Sequence, residues 1–346
     1  MKKLIAVLLV LMMAVCIAAC AKTTETATET STDTTTETEA TVEATEAPAE
    51  EAALIKVGIV NNPPSESGYR AANVADLERV FCEENGYDVS TFFSLNNDEQ
   101  LNAAAQFITD GVDYMLISAA ATDGWETVLT DAQEAGVKVI LFDRMLNADE
   151  SLYEAAIVSD MAQEGITAVT WLKSQNLDEY NVIHIQGVMT SDAQKGRTAA
   201  LDAEFEAGTM NKVVQQTANW SEDEAKAIVE SVINSGESFN VIYAENDGMA
   251  KGAVAALDEA GITHGVGKEV IIMGFDCNKW ALEELLAGNW NYDGQCSPFV
   301  ADTINEMIQT LEAGGTLESK KVISEERGFD ATTITQEDVD AYGLVS

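Results

Sequence analysis

From residue 54 onward the chain alternates short apolar runs with longer stretches of helical spacing, and no other feature constrains its fold as much. Leu54 to Val60 reads as a short buried strand, and 67–85 then carry Tyr69, Ala72, Leu77, Val80 and Phe81 at helical intervals. Strand-like runs recur at 88–94, 113–118, 137–142, 154–159, 181–186, 212–217, 239–244, 269–275 and 291–297. Helix-like stretches at 97–110, 124–135, 161–175, 192–207, 221–235, 246–260, 278–288 and 299–313 separate most of them. Glycines stand at the end of several, among them Gly111, Gly136, Gly261 and Gly288. Such alternation predicts an α/β fold of parallel sheets flanked by helices. About ten strands over residues 54–346 exceed one small doubly wound domain and fit two Rossmann-like lobes. The pattern breaks once, between Phe142 and Ala156, where strand follows strand with no helix between; the chain is expected to leave the first lobe there.

Parallel sheets place ligands beyond the carboxyl ends of their strands. Glu66, Tyr69 and Arg70 follow the first strand, and Asp143-Arg144 follow the run at 137–142. Thr190, Asp192 and Arg197 come after 181–186, Trp220 after 212–217, Asn246-Asp247 after 239–244 and Asp276 after 269–275. Gln295 lies within the last long strand. Charge sharpens this set. The chain has 59 Asp and Glu against 19 Lys and Arg, a net charge of −40, and only five of the 19 are Arg. Three of those five, Arg70, Arg144 and Arg197, gather at strand ends. A guanidinium presents fixed donors and stays charged, and a neighbouring carboxylate accepts hydroxyl protons. Together they suit the vicinal diols of a sugar, with the Trp220 ring as a flat apolar platform.

The same charge argues against binding nucleic-acid backbones, where affinity comes from Lys and Arg, and against docking on anionic lipid. No Gly-x-Ser-x-Gly, His-Glu-x-x-His, Cys-x-x-Cys or dinucleotide fingerprint is present. Glu66 and Asp143 could form a hydrolytic carboxylate pair, but the neighbouring Arg would hold both ionised, which suits binding rather than catalysis. No enzyme activity, cofactor or metal site is therefore expected. His184, inside an apolar strand, reads as a core residue. Of the later cysteines, Cys82 is expected to be buried, and for Cys277 and Cys296 a disulfide and two free thiols both stay open.

The N-terminus is a separate region. Met1-Lys2-Lys3 is basic, Leu4–Val15 apolar but short for a bilayer span, and Ile17-Ala18-Ala19-Cys20 resembles a bacterial lipobox. The resemblance implies a signal peptide at 1–19 and lipidation of Cys20. Residues 21–53, rich in Thr, Glu and Ala with a net charge of −8, read as a disordered tether running on from that cysteine. This places the body on the cell envelope, at the outer face of the cytoplasmic membrane or in the periplasm.

Ser65-Glu66-Ser67-Gly68-Tyr69-Arg70, Gly124-Trp125, Leu141-Phe142-Asp143-Arg144, Ser159-Asp160-Met161, Gln186-Gly187 through Arg197, Tyr243 to Ala250 and Gly274-Phe275-Asp276 carry a family resemblance over nearly all of 55–330. The body resembles the type I periplasmic sugar-binding proteins of ABC importers. The Ser-Glu-Ser-Gly-aromatic-Arg turn and the Gly-Trp pair are narrower marks, similar to the galactofuranose-binding members. The resemblance implies two lobes joined by three crossings, placed near 158, 291 and 318. The lobes would then be 54–158 plus 292–318 and 159–291 plus 319–346. It implies that they close on a monosaccharide and deliver it to a permease with its ATPase, the chain acting as a monomer. Glu66, Arg70, Asp143, Arg144, Arg197, Asn246, Asp247 and Asp276 carry over as ligand contacts. The chain departs from the galactofuranose binders in having Trp220 where they have Phe and Gln295 where they have Glu. A sensor presenting sugar to a membrane receptor or kinase, or a binder of a nucleoside or autoinducer, would use the same scaffold.

Overall fold

The inner strands of the two sheets are short, mostly apolar and buried on both faces, which is what a parallel sheet between two helix layers requires. The computed structural model describes residues 53–345; the signal segment, Cys20 and all but the last residue of the tether lie outside them. The first half of the chain runs β1 (Ile55–Asn61), α1 (Gly68–Val80), β2 (Tyr87–Phe93), α2 (Asn97–Asp110), β3 (Tyr114–Ile117), α3 (Glu126–Ala135), β4 (Lys138–Asp143) and β5 (Ala155–Val158). The second half runs α4 (Met161–Ser174), β6 (Asn181–Gln186), α5 (Asp192–Ala207), β7 (Asn211–Thr217), α6 (Glu222–Ser235), β8 (Val241–Ala244), α7 (Asp247–Ala260), β9 (Ile271–Phe275), α8 (Lys279–Leu286) and β10 (Tyr292–Gly294). Four further elements follow: α9 (Ala301–Glu312), β11 (Lys321–Ile323), β12 (Gly328–Asp330) and α10 (Gln336–Tyr342).

Two six-stranded sheets result, in the orders β11-β5-β4-β3-β1-β2 and β12-β10-β9-β8-β6-β7. All pairings in the first are parallel; in the second only β10 with β12 is antiparallel. The order is the same in both, so each lobe repeats one doubly wound plan with its strand order reversing at the first strand. Each sheet is covered on both sides by apolar side chains: Met115, Leu129 and Leu141 on one face of the first and Leu77, Phe142 and Ile304 on the other. Ile185, Trp220 and Leu282 on one face of the second match Leu172, Tyr243 and Phe275 on the other.

The lobe boundaries differ from the expected ones at two crossings. The first crossing is Ser159-Asp160, between β5 and α4. The second, expected near 291, comes after β10, because Tyr292–Gly294 pairs with β9 of the second sheet. α9 then returns to the first lobe, burying Ile304, Met307 and Ile308 beside Val57 and Phe142. The third, expected near 318, comes after β11, because Lys321–Ile323 adds to the edge of the first sheet beside β5. The chain crosses back over 324–327 and β12 closes the second sheet. Neither β11 nor β12 is visible as a run in the sequence, since a three-residue strand carries no periodicity, and α10, at seven residues, makes only about two turns.

No helix among the described residues is long and apolar enough to cross a membrane.

Candidate functional site

Helix N-termini and strand carboxyl ends meet along one edge of each lobe, and their caps hold the loops between. Ser67, Ser191 and Asn246 each accept a backbone N–H of the helix they precede, from Arg70, Gln194 and Met249. At the same edge, Asp143, Trp220 and Asp276 hold φ of 64°, 66° and 105°, which side chains other than glycine seldom adopt. Such backbone costs about 1–3 kcal/mol per residue and persists where surrounding contacts over-determine it.

In the first lobe those contacts centre on Arg70, which is fully buried. Its Nε donates to Glu66 Oε2 (3.1 Å), Nη1 to Asn61 Oδ1 (2.8 Å), Asn73 Oδ1 (3.0 Å) and Ser118 Oγ (3.3 Å), and Nη2 to Asp143 Oδ2 (2.5 Å). Asp143 also accepts from Ser118 Oγ (2.7 Å) and from the Tyr69 hydroxyl (2.9 Å). Arg144 lies 3.4 Å from both Glu66 and Asp143 and donates to the carbonyl of Ala119. Burial alone would raise the Asp143 carboxyl, but Arg70 and Arg144 outweigh it and bring the group down to about 2.

In the second lobe Arg197 plays the matching part. Nε donates to Glu164 Oε2 (2.6 Å), Nη1 to the carbonyl of Glu245 and Nη2 to Asp276 Oδ1 (3.2 Å), and the guanidinium lies 4.7 Å from the centroid of the Phe275 ring. Here burial outweighs the arginine: Glu164 is pushed up to about 8 and Asp276 to about 7. Asp247 and Asp293 are raised by burial too. The unfolded carboxyls sit near pH 4. Between roughly pH 4 and 8 the folded chain therefore holds more protons than the unfolded one, and stability falls as pH rises through that window. The protein is expected to melt at a higher temperature at pH 5 than at pH 8; a melting temperature that climbs between them contradicts the burial of these acids.

A cleft lies between the two arginine systems, lined by Glu66, Ser67, Tyr69, Asp143 and Arg144 of the first lobe, by Met161, Ala193, Arg197, Trp220, Asn246 and Asp276 of the second, and by Cys296 of a crossing. Two of its lining residues carry buried donors that make no hydrogen bond: Trp220 Nε1, and Arg144 Nε, which meets Asp143 Oδ2 only as an ion pair at 3.4 Å. Native structures seldom leave such groups unpaired unless something else accepts from them. The Trp220 ring packs flat against Gly187, where a Cβ would stand 2.0 Å from ring carbon Cη2. Gly187→Ala is expected to push the indole into the cleft and weaken ligand binding at least tenfold, with the fold intact by circular dichroism. Unchanged affinity would show that the ring's position does not matter.

Eight of the residues expected from sequence border this cleft. Five do not. Arg70 lies beneath it as the residue that positions Asp143 and Glu66. Asp247 turns inward, its Oδ2 accepting from the backbone and side chain of Asn278 (2.8 and 3.0 Å), because that carboxylate caps the turn into α8. Gln295 faces a groove at the crossings instead, its N–H donating to the carbonyl of Arg327. Thr190 is exposed, and its carbonyl accepts the Thr122 N–H across the lobes (3.2 Å). Asp192 Oδ2 likewise accepts the Met145 N–H of the first lobe (3.0 Å). These last two join lobe to lobe, and Tyr69 of the first lobe packs into the core of the second beside Met161 and Trp220.

Met161, Ala193 and Ser67 were not anticipated at the cleft; they are apolar or small and carry no chemical signal in sequence. Cys277 and Cys296 are buried free thiols, facing Asp293 (3.8 Å) and Ser159 (3.6 Å), and Cys82 is free and half-buried. His184 is the satisfied core residue expected, between Glu245 (2.9 Å) and Gln215 (3.1 Å).

A paired-lobe fold with this cleft matches a known family model, that of the periplasmic binding protein domain, over residues 57–316. The chain belongs to this family. Among curated members it is 29% identical to the galactofuranose-binding protein of Escherichia coli (strain K12), over 83% of this chain and 91% of that one. It is 30% identical to the fructose import binding protein of Bifidobacterium longum (strain NCC 2705), over 80% and 85% of the two chains. Among solved structures, a galactofuranose binding protein superposes with a TM-score of 0.76 at 25% identity, covering 83% of this chain and 98% of that one. The binding protein of the arabinose ABC transporter of Shewanella sp. ANA-3, bound to α- and β-L-arabinofuranose, superposes with a TM-score of 0.74 at 25% identity, over 83% and 93%. These family members are sugar-binding transport proteins, and the family's place is the cell envelope.

Proposed function

We propose that this chain is the substrate-binding lipoprotein of an ABC sugar importer, capturing a monosaccharide of galactofuranose or galactose type in the inter-lobe cleft. The observation that carries the proposal is the pair of buried, carboxylate-bound arginines, Arg144 and Arg197, one in each lobe, facing one cleft where Trp220 Nε1 makes no hydrogen bond. Asp143 and Asp276 accept sugar hydroxyl protons, Arg144 and Arg197 donate to ring or hydroxyl oxygens, and Trp220 covers an apolar face of the ring. Net hydrogen bonds contribute roughly 0.5–1.5 kcal/mol each, more when one partner is charged. Several of them, less the cost of ordering, reach the roughly −8 kcal/mol of micromolar binding.

Closure follows from where the contacts lie. A sugar held by one lobe gains its remaining partners only when the other swings in, so it binds the closed state more tightly and shifts the chain toward it. The lobe-to-lobe contacts through Thr190 and Asp192 add to that state. Lipidation of Cys20 and the acidic tether would hold the body near a permease and its ATPase, with the chain a monomer that carries out no catalysis. The furanose form is favoured by the similar solved structures, a galactofuranose binding protein and a binding protein bound to α- and β-L-arabinofuranose.

Thermal-shift titration with galactose, fructose, arabinose and ribose, alongside inositol and nucleosides, tests the reading. At least one sugar is expected to raise the melting temperature and reduce the radius of gyration in solution scattering. A panel in which no sugar does either, or in which only nucleosides do, sinks it.

A further inference from the structure

The three crossings between the lobes meet at one carboxylate. Glu326, in the third, accepts through Oε1 from Ser159 Oγ of the first (2.6 Å) and from the backbone N–H of Ser297 in the second (2.7 Å). Beside it stand Glu164, in the first turn of α4, and Cys296, in the second crossing. Glu164, Cys296 and Glu326 each bring a ligating atom within 4.8 Å of the other two, the one such grouping found among the described residues. Glu164 is only 7% exposed. Its Oε2 is engaged by Arg197, while Oε1 takes no donor from outside this group of three. A buried carboxyl oxygen whose neighbours are a thiol and a second acid is costly to hold without a shared positive charge.

We propose that Glu164, Cys296 and Glu326 form a hinge site for a divalent cation of the zinc class. The donor set decides the class. Calcium takes six to eight oxygens and magnesium keeps an octahedron of oxygens, whereas one thiolate with two carboxylates suits a borderline-soft ion of low coordination number. Such an ion would leave a fourth position for water or for Ser159 Oγ, which already lies 3.6 Å from the Cys296 sulfur. The surroundings fit as well. Arg197 holds the second oxygen of Glu164, as groups outside a coordination sphere commonly hold a ligating carboxylate. An open groove lined by Asp160, Glu325 and Glu326 gives an entry path from solvent, and its acidic rim attracts cations. Binding would displace the thiol proton to solvent, so affinity should rise with pH. The proposal does not depend on the identity of the sugar, or on there being one.

Two measurements on the purified full-length protein test it. After dialysis against zinc, metal analysis is expected to find one zinc per chain, and magnesium in the same experiment none. With cobalt as a spectroscopic stand-in, a thiolate-to-metal charge-transfer band is expected in the near ultraviolet, bleached by zinc and absent from Cys296→Ser. Glu326→Gln, which keeps an oxygen for Ser159, is expected to weaken zinc at least tenfold. Should the cysteine variant fail to fold, the wild-type spectrum still decides, because a chain without the band has no such site. Sub-stoichiometric zinc, or a band that survives in Cys296→Ser, overturns the proposal.

Discussion

Arg197→Ala is expected to reduce sugar affinity by at least a hundredfold. The guanidinium is the one group joining Glu164, the Glu245 carbonyl and Asp276 in the second lobe, and it sits against the Phe275 ring. Its removal takes away a ligand donor and the partner that fixes Asp276, whose backbone already holds a φ of 105°. A hydrogen bond from a charged donor contributes about 1.5–3 kcal/mol, and each 1.4 kcal/mol is a factor of ten in affinity, before the misplacement of Asp276 is added. The two acids left behind need not stay charged: both are already raised by burial, and without the arginine they would take up protons and keep the lobe folded. The loss should therefore appear in titration calorimetry far more than in the melting curve. An affinity within about threefold of wild type would mean that the sugar does not depend on this side of the cleft.

Arg70→Ala should act the other way, on the fold more than on direct contact with the ligand. Arg70 is buried beneath the cleft and bonds Glu66, Asn61, Asn73, Ser118 and Asp143. The ends of β1, β3 and β4 are tied together through it. Losing one member of such a buried network costs about 3–5 kcal/mol, which for a chain of this size lowers the melting temperature by roughly 6–20 °C. Acid stability should change with it. Asp143 is held down to about 2, so its contribution is present above about pH 4 and is lost as pH falls through 2. Without Arg70 that loss should begin at higher pH, seen as an earlier acid transition in circular dichroism. A variant that melts like wild type, with an unchanged acid transition, contradicts the role given to this arginine.

These residues differ in how far the sequence discloses them. Strands such as β3 and helices such as α2 and α5 are legible because apolar period and capping residues agree, and for α2 and α5 the bounds coincide with those read from the pattern. The edge that carries the site follows from parallel-sheet geometry, and scarce arginine in an acidic chain marks it. What sequence cannot carry is direction. Arg70 and Asp247 stand at strand ends like the others, yet one points beneath the cleft and the other into a turn. The second and third crossings fall later than the pattern suggests because β10 pairs with β9 and β11 with β5, and neither three-residue strand announces that pairing in its own residues. The hinge grouping was hidden for a related reason: Glu164, Cys296 and Glu326 are remote in the chain, and only the double return of the backbone between the lobes assembles them.

The central claim is that one sugar sits between the two arginine systems. A crystal structure of the sugar complex tests it most directly. The account predicts a single monosaccharide with hydroxyls on Asp143 and Arg144 from one lobe and on Asn246, Arg197 and Asp276 from the other, one ring face against Trp220. Sugar bound elsewhere on the body, or touching only one lobe with the cleft closed beside it, would contradict it.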